Sequence, residues 1–283
     1  MNVTSRHILG FFEEWAPQST KLEYDNVGLL VGESVQRVHR VLVCLDVTHE
    51  VLDEAESFAA DLIVAHHPLI FRKLSRVSPE DETGALIYRL IRRGMGLMAV
   101  HTNLDAAWGG VSFALADSLG LQQTAFLKPD AVPVADGSVK SAENSGDLPS
   151  TRLNATGFGV IGRLPSPLSA NTFLKRVGNR LNSRALRYSG SVTEIERVAV
   201  CGGSGAFLTE HARQAGVQAY VTADLKYHDF FAADSTFMLV DAGHYETEIP
   251  VVETICARLA ERFPGLVAAS ARVNTNPVQF FDK

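Results

Sequence analysis

The chain has 283 residues, 46% of them hydrophobic and 20% charged, which is apolar material for two compact domains. Its formal net charge of -6 excludes a protein whose main business is to coat a polyanion and leaves nucleic acid a minority reading. Cys44, Cys201 and Cys256 are widely spaced and form no Cys-x-x-Cys pair, which excludes a disulfide framework and a thiolate zinc site and fits a reducing cytoplasm; the N-terminal stretch lacks a basic segment with an apolar core and no run of ~18 apolar residues occurs, so neither export nor a membrane span is expected.

In chain order, short β-branched runs alternate with amphipathic helical patterns. RVLVCLD (40–46) reads as a strand, THEVLDEAESFAA (48–60) as a helix, DLIVAHH (61–67) as a strand, TGALIYRLIRRG (83–94) as a helix and GLMAV (96–100) as a strand. This is the pattern of an α/β sheet whose strands are buried on both faces. A stretch of Pro, Gly, Ser and charge without periodicity over 128–152 reads as a linker. Beyond it the order returns: RVAVCGG (197–203), a helix through LTEHARQAG, the strand VQAYVTAD, a helix from LKYHDFF and the strand FMLVDAG. Cys201 mirrors Cys44, and each closing strand runs into a histidine with an acid four residues on, His101 with Asp105 and His244 with Glu248. The expectation is two related α/β domains, an internal repeat, with a metal centre in the cleft between them. The first domain comprises 1–126 and 238–283, completed by the C-terminal segment, and the second comprises 127–237 with the linker 128–152.

In open α/β sheets ligands gather outside the carboxyl ends of the strands, and the marked residues all lie there. His66 and His67, in AHHPLIF, close one strand; Pro68 ends the ladder, so the two imidazoles diverge toward points a few Å apart. That suits two metals better than one. Imidazole with carboxylate favours zinc, iron, manganese or cobalt over calcium and magnesium. With His66, His67 and His244 as neutral ligands and Asp105 and Glu248 as carboxylates, two divalent ions keep about +2 at the centre, suited to hydroxide or an anionic substrate. Other roles stay open: Asp105 as the cap of the helix in VSFALADSLG, Glu248 in the first turn of TEIPVVETICARLAERF. His101 is assigned to orienting Asp105 or to completing the strand by a hydrogen bond.

Two further stretches sit at strand ends. CGGSGAF, with Gly202 to Gly205, resembles a backbone anion cradle but lacks the ending of a P-loop and the spacing of a dinucleotide fingerprint. Asp224, Lys226, His228 and Asp229 line the cleft with Lys226 meeting a phosphate, or else form a solvated helix start. The basic runs RKLSR and YRLIRR belong to a loop and to a polar helix face.

Together YDNVGLLVG (24–32), AHHPLIF, HTNLDAA (101–107), VTADLKYHD (221–229), GHYETE (243–248) and TNPVQFF (275–281) resemble the Nif-three-like proteins, labelled GTP cyclohydrolase 1 type 2 homologues, over nearly the whole chain. The resemblance implies a two-domain α/β subunit, a ring-like homohexamer and a dinuclear metal centre with His66, His67, Asp105, His244 and Glu248 as ligands. Trp108 stands where a proline is common and Ala223 where a glycine is usual; neither is a ligand position. The central stretch is too short for the extra domain that longer relatives insert. The functional expectation is a metal-dependent hydrolase of a nucleotide or related phosphorylated or heterocyclic small molecule, with His101 and His228 as candidates for proton transfer. The alternative is a non-catalytic metal-binding protein for storage, delivery, sensing or a hexameric adaptor; single-strand nucleic-acid binding ranks third.

Overall fold

The computed structural model describes residues 2–130, 132–133, 139–140 and 155–281. The chain begins with α1 (Ser5–Trp15), β1 (Gly28–Val31), β2 (Arg40–Cys44), α2 (His49–Phe58), β3 (Leu62–Ala65), α3 (Glu82–Arg93), β4 (Gly96–Ala99) and the single turn α4 (Thr102–Asp105). It continues with α5 (Val111–Leu119), β5 (Gln122–Pro129), the two-residue strands β6 (Val132–Pro133) and β7 (Val139–Lys140), β8 (Gly157–Ser169), α6 (Ala170–Leu181), β9 (Arg187–Ser189) and β10 (Glu194–Ser204). Then come α7 (Thr209–Gln214), β11 (Ala219–Ala223), a 3₁₀ segment (Tyr227–Ala232), β12 (Met238–Asp241), α8 (His244–Glu248), α9 (Pro250–Arg262) and β13 (Val267–Ser270). Among the described residues no helix is long and apolar enough to cross a membrane.

The first unit comprises residues 1–104 and 251–277. Its sheet has the order β1-β4-β3-β2-β13, with β4, β3, β2 and β13 parallel and β1 antiparallel on β4. β3 and β4 are buried at every position, as strands covered on both faces require. Helices α2 and α3 present Val51, Leu52 and Ala55, and Leu86, Ile87 and Leu90, to the same core as Leu42, Ile63 and Leu97. Thr48 caps α2 by accepting from Val51 N, and Asp81 caps α3 by accepting from Gly84 N at 2.7 Å; α3 stops at Gly94, at φ +62. Leu90→Ala would open a hole costing about 2–5 kcal/mol.

The second unit comprises residues 105–250 and 278–283. Its sheet has the order β5-β8-β10-β11-β12-β9, with β10, β11 and β12 parallel and β9 antiparallel on β12. The repeat is therefore topological: an antiparallel edge strand followed by three parallel strands, in the order β1-β4-β3-β2 in one unit and β9-β12-β11-β10 in the other. In the first unit α3 and the exposed loop before it separate β3 from β4, whereas only the 3₁₀ segment separates β11 from β12.

Some boundaries lie elsewhere than the sequence pattern places them. Residues 238–250 belong to the second unit, because β12 hydrogen-bonds to β11 and β9. Residues 105–126 join it too, because Phe113, Leu115 and Leu119 of α5 pack with Val160, Val198 and Val200. The C-terminal segment does return to the first sheet, as β13 beside β2. LKYHDFF forms a 3₁₀ segment and not an α-helix. Lys128 and Pro129 belong to β5, and most of the expected linker 128–152 lies outside the described residues.

Candidate metal centre

In the first unit β3 ends at Ala65, and His66 and His67 follow it with their amides still bonded to Cys44 and Leu45 carbonyls at 3.0 and 2.9 Å. Because β3 lies between β2 and β4, the two rings turn to opposite neighbours. Nδ1 of His66 donates to the Val100 carbonyl beyond β4 at 2.8 Å, and Nδ1 of His67 meets Oδ1 of Asp46 beyond β2 at 2.8 Å. His101, just after β4, has Nδ1 2.9 Å from Oδ1 of Asp25. A carbonyl or an ionised carboxylate only accepts, so each contact puts the proton on Nδ1 and the ring lone pair of a neutral imidazole on Nε2. One nitrogen from each of His66, His67 and His101 falls within a mutual distance of 4.8 Å. His101 thus stands with the ligand-type histidines, its Nδ1 given to Asp25.

Asp25 has a fully buried side chain, and its Oδ2 accepts from both the backbone N (3.0 Å) and the hydroxyl of Thr102. Burial alone would push its carboxyl up, but the hydrogen bonds from His101 and Thr102 outweigh it and hold the group well below the usual carboxylate range.

In the second unit His244 and Glu248 stand one turn apart on α8, with Nε2 and Oε2 3.1 Å apart, and Nδ1 of His244 reaches Oδ2 of Asp224 at 2.7 Å. Burial opposes the charge on His244, but Glu248 and then Asp224 overcome it and raise the imidazole to about 9. The His244 ring thus stands between two carboxylates, one on each of its nitrogens. Asp224, directly after Ala223, takes a positive φ of 57°, which Asp tolerates better than most residues. Burial raises the Cys201 thiol to about 12, and the charges of Asp105 and Glu248 both add to the rise. Neither acid has the helix role left open for it. Gly110 is the residue before α5, with no side-chain cap, and Glu248 lies in α8, ahead of α9.

In CGGSGAF it is Gly203 that makes room for a carboxylate, whereas Gly202 and Gly205 are crowded by Val111 and by Thr222 and Tyr220. Gly203 sits at φ +61, and a Cβ there would lie 2.2 Å from Glu248 Oε1 and 3.3 Å from His244 Cε1. Two of the backbone N–H groups that a cradle would use are taken: Gly202 donates to Ser112 Oγ at 3.3 Å and Gly203 to Thr247 Oγ1 at 3.0 Å. Lys226, just before the 3₁₀ segment, and His228, on it, are exposed; the His228 ring lies 5.2 Å from Tyr227 and 6.1 Å from Phe231. Asp229 accepts from Lys226 N at 2.7 Å and so caps that segment. The basic runs are as expected: Arg72, Lys73 and Arg76 lie in an exposed loop, and Arg89 pairs with Asp53 and Glu56 at 2.6 Å. Trp108 packs against Phe113 at 4.4 Å.

Sequence reasoning gave no role to Asp25, Asp46, Thr102 or Thr275. Their signal was present in YDNVGLLVG, RVLVCLD, HTNLDAA and TNPVQFF, but polar residues at strand ends and in loops have no periodicity to mark them.

The family described as Duf34/NIF3 (NGG1p interacting factor 3) matches residues 3–277. A Streptomyces coelicolor protein named GTP cyclohydrolase 1 type 2 homolog is 36% identical over 250 residues, covering 87% of this chain and 81% of its own. A Clostridium perfringens protein of the same name is 30% identical over 259 residues, covering 90% of each. Among solved structures, a hypothetical protein of Staphylococcus aureus superposes with a TM-score of 0.85 at 27% identity, covering 99% of this chain and all of that one. A Bacillus cereus protein related to NIF3 superposes with a TM-score of 0.82 at 25% identity, covering 99% of each.

Proposed function

The chain belongs to the Duf34/NIF3 family, and from that premise we propose that it holds two divalent ions and hydrolyses a nucleotide or a related phosphorylated or heterocyclic compound. The ligands are His66, His67, Asp105, His244 and Glu248, with His101 as a sixth. The observation that carries the reading is the anchoring of Nδ1 in His66, His67 and His101 by Val100, Asp46 and Asp25, which orients Nε2 as the donor atom. The donor set of imidazole and carboxylate suits zinc, iron, manganese or cobalt. Bound there, two such ions would supply Lewis acidity and lower the pKa of water. The protein's own contribution is positional: Asp46, Asp25 and Asp224 hold three imidazoles, and Gly203 admits Glu248. Lys226 is proposed to meet a phosphate and His228 to move a proton at the leaving group. The relatives' name, GTP cyclohydrolase 1 type 2 homolog, supports the nucleotide direction. A homohexamer in the cytoplasm belongs to the same proposal, and light scattering of the purified protein tests the assembly.

A second reading, metal binding without catalysis, is favoured by the complete burial of His66 and the near-complete burial of Glu248, as in a closed structural site. Metal analysis of protein purified without added ions, beside His67→Ala, tests both readings. About two ions per chain, reduced in the variant, support the centre, and an absence of bound metal after loading overturns it. Hydrolysis by the zinc-, manganese- or iron-loaded protein across a nucleotide and phosphoester panel supports catalysis; none across that panel leaves the binding reading.

A further inference from the structure

Within the first unit a chain of hydrogen bonds leads from the C-terminal segment to His67. Thr275 Oγ1 donates to Asp46 Oδ2 at 2.8 Å across 229 positions of sequence, and Asp46 Oδ1 meets His67 Nδ1 at 2.8 Å. One carboxylate oxygen serves each partner, so the carboxylate cannot rotate without breaking a bond. The segment that brings Thr275 there is itself tied down. Ala271 N donates to the Val43 carbonyl at 2.8 Å, continuing the β13–β2 ladder. Arg272 N reaches both Glu54 oxygens at 3.0 and 2.9 Å, and Val273 N reaches Oε2 at 3.1 Å. Asn274 Oδ1 then accepts from Asn276 N at 2.9 Å, closing a turn around Thr275.

The His101 arm is built alike, as Thr102–Asp25–His101, but Thr102 is the next residue to His101 and Asp25 is enclosed. The side chain of Asp46 is 38% exposed where that of Asp25 is 0% exposed. Water competes for Asp46, so packing alone does not hold it, and the hydroxyl selects one carboxylate orientation.

We propose that Thr275 is a positioning residue for His67, acting through Asp46, so that the C-terminal segment sets the geometry and tautomer of that imidazole. The consequence for metal rests on His67 being a ligand; the hydrogen-bonded relay does not.

The test uses the full chain with Thr275→Val, which keeps the shape and removes the hydroxyl, Thr275→Ser, which restores it, and Asp46→Asn. Stripped proteins are titrated with cobalt(II), reading affinity and the visible spectrum. Thr275→Val should bind about tenfold more weakly with a changed spectrum, Asp46→Asn should lose about 10- to 100-fold, and Thr275→Ser should match the natural chain. Unchanged cobalt affinity and spectrum in Thr275→Val overturn the proposal. So does an equal loss in Thr275→Val and Thr275→Ser that tracks a lowered melting temperature of the metal-free proteins, since that marks a mere strut. Should the natural chain take no cobalt, the metal centre fails separately, and histidine nitrogen NMR of the metal-free protein decides the relay. The natural chain then shows one His67 tautomer, with the proton on Nδ1, and Thr275→Val a mixture; identical spectra overturn the proposal.

Discussion

Gly203→Ala separates the role of a glycine in backbone conformation from its role in admitting a ligand. Gly203 lies at φ +61, where an alanine pays roughly 1–2 kcal/mol. Its Cβ would also lie 2.2 Å from Oε1 and 3.2 Å from Cδ of Glu248, far inside van der Waals contact. The Glu248 side chain is 5% exposed and has little space for retreat, so the carboxylate must leave its place. Disturbing a buried, paired charge adds about 2–3 kcal/mol. Gly216, in the same unit at φ +67, has Arg197 Nη1 at 3.6 Å as its nearest heavy atom, so Gly216→Ala carries the backbone cost alone. At roughly 2–4 °C per kcal/mol, Gly203→Ala should lower the melting temperature by about 6–20 °C and Gly216→Ala by about 2–8 °C. Calorimetry of the metal-free variants measures this, and metal analysis should show ions lost from Gly203→Ala only. If Gly203→Ala melts with Gly216→Ala and retains the natural metal content, the account of these glycines is wrong.

Three other outcomes are expected. Burial and neighbouring acids raise the thiols of Cys44 and Cys201, the latter to about 12, so iodoacetamide at pH 8 should modify neither in the folded protein and both in urea, read by mass spectrometry. Despite its burial, hydrogen bonds from His101 and Thr102 lower Asp25, so its contribution to stability is complete above the ordinary carboxylate value of about 3.9 and is lost as pH falls below it. Asp25→Asn should therefore flatten the acid limb of a melting-temperature profile, and an unchanged limb would contradict the assigned partners. His244 is raised, against burial, by Glu248 and Asp224 to about 9, so in the metal-free protein its stabilisation is complete below the ordinary value of about 6.5 and disappears as pH rises through 9. A divalent ion bound at His244 displaces that proton; calorimetric titration in buffers of different ionisation enthalpy at pH 7 should record proton release that His244→Gln lacks.

The strands that carry the candidate centre were legible because burial on both faces writes itself as short apolar runs. LIVA and MLVD are visible without a structure, and so are the histidines that end them. The repeat was legible for the same reason, through His101 with Asp105 and His244 with Glu248. The role of the glycines at 202–205 stayed open in the sequence because glycine signals a close approach without saying what approaches. The boundary near 250 was missed because β12 looks the same in sequence whichever sheet it joins, and the one near 104 because the apolar residues of α5 do not say which core they enter.

Local order was thus determined by the sequence itself: where strands end, which imidazoles and acids follow them, and that two similar α/β units exist. Periodicities of two and 3.6 residues are properties of neighbouring positions and can be seen in the linear chain. Only the tertiary structure decided that Asp25 holds His101, that Asp46 holds His67 and that Thr275 reaches Asp46. Those bonds join groups far apart in the chain: Asp46 meets His67 because β2 lies beside β3, and Thr275 meets Asp46 because β13 lies beside β2, pairings with no local signature.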